Sequence, residues 1–173
     1  FNEYYGGSMN AIVFQEMRES RALAYGAGAW LSVPGHLSDT YSFRAYIASQ
    51  NDKLRQAVEA FDEIINDMPE APENLEIAKT AILSRLRTQR TIGAAVLSSY
   101  LSAKELGLDE PLDKLVFEKG GDLTMDDLRA THAKWVKDRV YNYAILGDKN
   151  DMDMAFLRTL GPVKEVSLEE IFG

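Results

Sequence analysis

Residues 8–33 read SMNAIVFQEMRESRALAYGAGAWLSV, and the period of this stretch changes halfway along. Met9, Ile12, Val13 and Met17 recur at helical spacing and predict an amphipathic helix with one stripe on a core. Gln15, Glu16, Arg18 and Glu19 fall largely off that stripe. Ser8 follows Gly6-Gly7 and is placed to cap the helix N-terminus. From Leu23 small and large residues alternate, which suits a strand running to Val33. Arg18 then belongs to the last helical turn and Tyr25, seven residues on, to the strand that leaves it. The turn between them can aim both side chains at one point.

Outward from this stretch the pattern stays legible. Phe1 to Tyr5 reads as the end of a helix broken by the glycine pair. Pro34-Gly35-His36 turns the chain, and Tyr41, Phe43, Ala45 and Ile47 alternate with Ser42, Arg44, Tyr46 and Ala48 as a second strand. The two strands predict an antiparallel hairpin. Asn51 or Asp52 caps a helix with Leu54, Val58, Phe61, Ile65 and Met68 inward. Pro72 is well placed to open the next helix, running from about Glu73 towards Arg90, with Leu75, Ala78, Ile82 and Leu86 inward. Thr91-Ile92-Gly93 breaks it before a run to Leu106, and a shorter helix ends at Phe117. Thr124 caps a helix with Met125, Leu128, His132 and Trp135 on its apolar side. Val140 to Leu146 predicts a third strand, Asp151 to Leu160 a short helix, and Ser167 caps a last turn through Phe172.

This order predicts an α+β domain spanning residues 1–173, with helices packed on one face of a mostly antiparallel sheet. The length of 173 residues suits one domain. A net charge of −8 disfavours nucleic acid and anionic membrane surfaces as partners. No cysteine is present, which removes disulfide and thiolate chemistry. No apolar run approaches the ~20 residues of a membrane-spanning helix.

The segment FNEYYGGSMNAIVFQEMRESRALAY resembles the pitrilysin/insulinase zinc peptidases, in the C-terminal half of those proteins that does not bind zinc. AILGDKNDMD followed by LRTLGPVKEVSLEEIFG is similar to the closing strand and tail of bacterial members. Ala22 stands where glycine is commoner in that family. The resemblance implies a half-domain of the pitrilysin/mitochondrial-processing-peptidase-like metallohydrolase fold lacking its first strands, a fragment of a longer chain. An open sheet edge left by the missing strands would invite another strand, including self-association. The implied partners are a zinc-binding half, in the same protein or a partner subunit, and a peptide substrate.

The family's zinc motif is H-x-x-E-H, two histidines on one helix with a glutamate between. Only His36 and His132 occur here, without that spacing, so no metal site is expected in this fragment and zinc is expected in the partner domain. The fragment alone is expected to be inactive. By resemblance, Tyr25 donates to the oxyanion or to an adjacent substrate carbonyl, and Arg18 with Tyr25 binds the peptide. A phenol donor aimed at developing oxyanion charge suits peptide hydrolysis, and a guanidinium suits a peptide carbonyl. The plainer alternative places Arg18 at the helix C-terminus as a dipole partner and Tyr25 half-buried in the sheet. Arg21 competes with Arg18. Gly26 and Gly28 allow close approach of another backbone, a substrate or a packed helix, and packing is the simpler cause. A second functional class is a structural or assembly domain from an inactive relative.

Overall fold

The computed structural model describes residues 1–173. Nine helices surround a two-stranded antiparallel sheet, an α+β arrangement as the sequence predicts. The helices are α1 (Asn2–Tyr5), α2 (Ile12–Phe14), α3 (Leu54–Asn66), α4 (Pro72–Thr88), α5 (Ala94–Glu105), α6 (Leu112–Lys119), α7 (Met125–Trp135), α8 (Met154–Leu160) and α9 (Leu168–Phe172). The strands are β1 (Gly26–Ser32) and β2 (Ser42–Ala48), paired from Gly26↔Ala48 to Ser32↔Ser42. Ala27, Ala29 and Leu31 share one face with Ile47, Ala45 and Phe43, while Gly28, Trp30, Arg44 and Tyr46 share the other.

The first face meets the core. Tyr4, Tyr5, Ile12, Val13 and Met17 pack there with Phe61, Ile64 and Ile65 of α3, Leu75 of α4 and Leu128 of α7. Burying such side chains contributes roughly 1.5–3 kcal/mol each before conformational entropy is subtracted. The two buried phenols of α1 are satisfied by backbone. Tyr5 donates to Ile64 O at 3.0 Å, and burial pushes its hydroxyl well above the ordinary range. Tyr4 donates to Pro69 O at 2.9 Å and accepts from Ala71 N at 3.0 Å.

Helix ends follow sequence chemistry where a side chain can reach. Thr124 and Ser167 each form the reciprocal capping box of their helices, α7 with Asp127 and α9 with Glu170. Pro72 opens α4, and Gly93, at φ +58°, supplies the left-handed break before α5.

Some expectations need correction. Ser8 does not cap the second helix. Its hydroxyl turns back to Glu3 O at 3.4 Å, α2 starts at Ile12, and Met9 is left exposed. In α3 the buried residues are Ala57, Ala60, Phe61, Ile64 and Ile65, while Leu54 and Val58 line an open cleft. The inward stripe is turned because the sheet covers only part of the helix's apolar surface. The run to Leu106 forms α5 as expected, with only Ala103 of it buried and Val96, Leu97, Tyr100 and Leu101 facing solvent.

The largest departure is the predicted third strand. Residues 140–147 make no backbone–backbone hydrogen bond and form no strand. The segment is anchored by side chains instead: Tyr141 Oη donates to Val136 O and Tyr143 Oη to Asp62 at 2.8 Å. Its β-branched and aromatic residues suit a strand, but a strand exists only where a second backbone runs alongside. A cleft of about 510 Å³ separates it from β2, with Ala57, Phe61 and Ile65 on its floor. The opposite edge of the sheet is closed: Asn2 pairs with both backbone groups of Leu31, at 2.8 and 2.9 Å, and Ala29 N donates to Gly6 O at 3.2 Å.

His132 is a core residue of α7. It is 5% exposed, and its Nε2 lies 2.8 Å from Ile65 O. A carbonyl only accepts, so Nε2 carries the proton and donates. Burial holds its pKa below the ordinary histidine value. A lowered folded pKa means the unfolded chain binds the extra proton first. Stability is therefore greatest above about pH 6.5 and falls as the pH drops below it, until the folded histidine also titrates. Urea unfolding followed between neutral and mildly acidic pH should show this slope, and His132→Gln should flatten it. Identical slopes for the two proteins would remove His132 as the cause.

Candidate functional site

The helix that opens at Ile12 does not stay α-helical. From Gln15 to Ser20 it widens into a π-turn, marked by the i→i+5 bond from Arg21 N to Glu16 O at 3.1 Å. Such widened turns recur at functional positions. The turn closes when Leu23 N and Ala24 N both donate to Met17 O, at 2.9 and 3.1 Å. Between them Ala22 adopts φ +50°, a left-handed conformation that costs a residue with a Cβ roughly 1–2 kcal/mol. This is the position where the sequence carries alanine in place of the commoner glycine. The strained turn reverses the chain onto β1, and Tyr25 N donates to Ala48 O at 2.7 Å just before the strand proper.

The turn brings Arg18 and Tyr25 together. The Arg18 guanidinium carbon lies 5.8 Å from the centre of the Tyr25 ring and 5.1 Å from that of Phe14. Tyr25 is 85% exposed, so it is not the half-buried sheet residue of the plainer alternative. Arg18 makes no hydrogen bond to a helix carbonyl; its one ionic partner is Glu19, at 3.6 Å on the surface, and such a pair adds little.

Arg21 is placed differently. Its guanidinium donates to Glu63 on α3 at 2.7 Å and lies 3.6 Å from Glu16. The hydrogen bond to Glu63 raises the Arg21 pKa and lowers that of Glu63. Arg21 is thus committed to tying the π-turn to α3, and Arg18 is left facing outward beside the phenol. The seven-residue spacing to Tyr25 already favours Arg18 by resemblance, and Glu63 engages the other arginine.

Tyr46, an ordinary strand position by sequence, lines the cleft and crosses the two glycines of β1. It stands opposite Gly28 in the hairpin, and a Cβ on Gly28 would come within 2.9 Å of its ring and 3.2 Å of Gly6 O. Its hydroxyl reaches over Gly26, 3.8 Å from where a Cβ would be. The two glycines therefore make room for a cross-strand tyrosine. Their alternation opposite Tyr46 was the available signal, but it needs the register to be read. Trp30 continues this face, 6.5 Å from Tyr46 between ring centres. Tyr46 and Trp30 share the sheet face of Gly28 and line the 510 Å³ cleft. The 510 Å³ cleft lies off to the β2 side and includes neither Arg18 nor Tyr25.

No three His, Cys, Asp or Glu side chains converge in a way that could hold a metal ion. His36 sits in an exposed loop, where its backbone N–H donates to Asp39 at 3.2 Å. The carboxylates Asp62, Glu63 and Glu70 are engaged by Tyr143, Arg21 and Arg129 respectively. The Tyr143 hydroxyl is pushed up to about 12, by burial first and then by the Asp62 carboxylate.

Residues 1–82 match the family described as peptidase M16 inactive domain, which bears out the resemblance drawn from FNEYYGGSMNAIVFQEMRESRALAY. The structure is similar to the crystal structure of a peptidase M16 inactive domain from Pseudomonas fluorescens, with a TM-score of 0.55 and 20% identity. That similarity covers 79% of this chain and 32% of the other, so this chain spans about a third of its relative's length. No curated protein matches the chain.

Proposed function

We propose, from the match of residues 1–82 to the peptidase M16 inactive domain, that this chain acts as the substrate-enclosing part of a zinc-dependent endopeptidase. In this reading zinc is bound by another domain or subunit, and this chain supplies Arg18 and Tyr25 to the peptide. Arg18 anchors the substrate backbone, and the Tyr25 hydroxyl donates to the scissile carbonyl oxygen or a neighbour as negative charge develops there. The chain alone is inactive.

One observation carries the reading: of the two arginines in the turn, Arg21 is tied to Glu63 while Arg18 stands beside an 85%-exposed phenol. Exposed, adjacent donors of this kind fit a ligand better than a packing role. The experiment is Tyr25→Phe in the peptide-cleaving protein, with kcat and KM measured separately.

The second reading, a structural or assembly domain, is favoured by a different observation. β2 offers an open edge to an apolar cleft whose far wall, residues 140–147, is also without backbone partners. Val140 and Leu146 are 100% and 99% exposed, and edges of this type recruit strands. The chain by itself self-associates through this edge. Sedimentation equilibrium should show mass rising with concentration, and Ile145→Lys with Leu146→Lys should return it to a monomer. A monomer at every concentration in the unmodified chain would remove the edge as a contact.

A further inference from the structure

Phe14 lies four residues before Arg18. Its immediate neighbours Ile12 and Val13, and Met17 beyond it, are in the hydrophobic core, but the Phe14 ring is not part of that cluster. The ring lies instead under the Arg18 guanidinium, 5.1 Å from centroid to carbon. Residues four apart lie on one face of a helix, so the side chain of residue 18 can reach over that of residue 14.

We infer that Phe14 is a positioning residue: it holds the Arg18 guanidinium beside Tyr25 with the N–H edge left free for a planar oxygen acceptor on a peptide. This rests on the peptide-binding reading for its ligand, but the placement of Arg18 stands on geometry alone. Besides the Tyr25 ring itself, at 5.8 Å, Phe14 is the one aromatic face beside the guanidinium. Arg18 has no hydrogen bond to backbone or side chain, and its contact with Glu19 is a 3.6 Å surface pair between sequence neighbours. A cation over an aromatic face is attracted by the ring quadrupole and keeps its donors in its own plane. No hydrogen bond engages the fork of N–H groups, which leaves it for one carbonyl or, bidentately, one carboxylate oxygen pair. The acceptor can come from a backbone carbonyl within a peptide or from its terminal carboxylate; both offer coplanar oxygen lone pairs.

The test has two readouts on the 173-residue chain. In the first, the Arg18 Nε–H resonance is compared between the wild type and Phe14→Leu. The ring current of Phe14 should shift it upfield in the wild type, Phe14→Leu should return it towards the position of the other arginines, and Phe14→Tyr should restore it. In the second, calorimetry measures an unstructured peptide of alternating serine and leucine, with its C-terminus free or amidated. Phe14→Leu should weaken binding about fivefold, as loss of one cation–π contact implies, with Phe14→Tyr again restoring it and thermal stability unchanged. Loss of affinity on amidation assigns the acceptor to the terminal carboxylate, and equal affinity assigns it to backbone carbonyls. An Arg18 resonance unmoved by Phe14→Leu overturns the positioning role. Absence of peptide binding in the wild type, with the resonance shift intact, overturns the ligand and the peptide-binding reading but leaves the placement of Arg18 by Phe14 standing.

Discussion

Tyr25→Phe should lower kcat for peptide hydrolysis about a hundredfold in the protein that carries both this domain and a zinc site, and leave KM nearly unchanged. The magnitude is that of one preorganised donor removed from a developing oxyanion. The asymmetry between the two constants follows because the scissile oxygen carries full negative charge only in the transition state. Phenylalanine retains the ring that faces Arg18 at 5.8 Å, so the substitution subtracts one hydroxyl and little else. Tyr25 is 85% exposed, and its loss should not alter folding. Arg18→Ala should behave differently, raising KM as well, because an anchor on the substrate backbone acts on ground state and transition state alike. An unchanged kcat/KM in Tyr25→Phe would take the phenol out of the chemistry and leave the assembly reading in place.

The second large effect concerns the fold. Gly6→Ala should destabilise the chain by about 3 kcal/mol, which lowers the melting temperature by roughly 6–12 °C for a domain of this size. A Cβ on Gly6 would overlap the backbone of Ala29, coming within 2.7 Å of its Cα and closer still to its carbonyl oxygen and amide nitrogen. Neither side can yield cheaply. Gly6 O accepts from Ala29 N at 3.2 Å, and Asn2 in the same helix holds Leu31 by two hydrogen bonds. Moving Gly6 away would therefore open the protected edge of β1. Gly35, in the exposed hairpin loop, meets only the tip of Asp39 at 4.0 Å, and Gly35→Ala is the matched control with little change expected. Equal melting temperatures for the two variants would show that the backbone at Gly6 relaxes freely.

The acid-side loss of stability traced to His132 belongs with this second effect. Both come from the seam where α1, the sheet and α3 meet, and Tyr5 sits 5.9 Å from the His132 ring there.

Much of this was legible in the chain because the signals are local. The pairing of two strands as a hairpin follows from alternation within residues 23–48, the caps at Thr124 and Ser167 from side chains that reach their own first turn, and the break at Gly93 from a conformation glycine adopts freely. Residue type and short spacing decide such features before any long-range contact forms. Arg18 and Tyr25 were singled out through the family resemblance, and the contact between them is seen only in the folded turn.

Three features were settled only by tertiary structure. Residues 140–147 carry a strand's composition without becoming one, because a strand requires a neighbouring backbone and the cleft beside β2 provides none. Arg18 rather than Arg21 faces the phenol because Glu63, more than forty positions away in sequence, captures the latter at 2.7 Å. Gly28 matters because Tyr46 crosses it from the opposite strand. The amino-acid order by itself determined which segments could be helix, turn or hairpin and which two donors share a turn. Which arginine is free, which edge is open and which apolar residues stay in water depend on groups distant in sequence, and only packing brings those together.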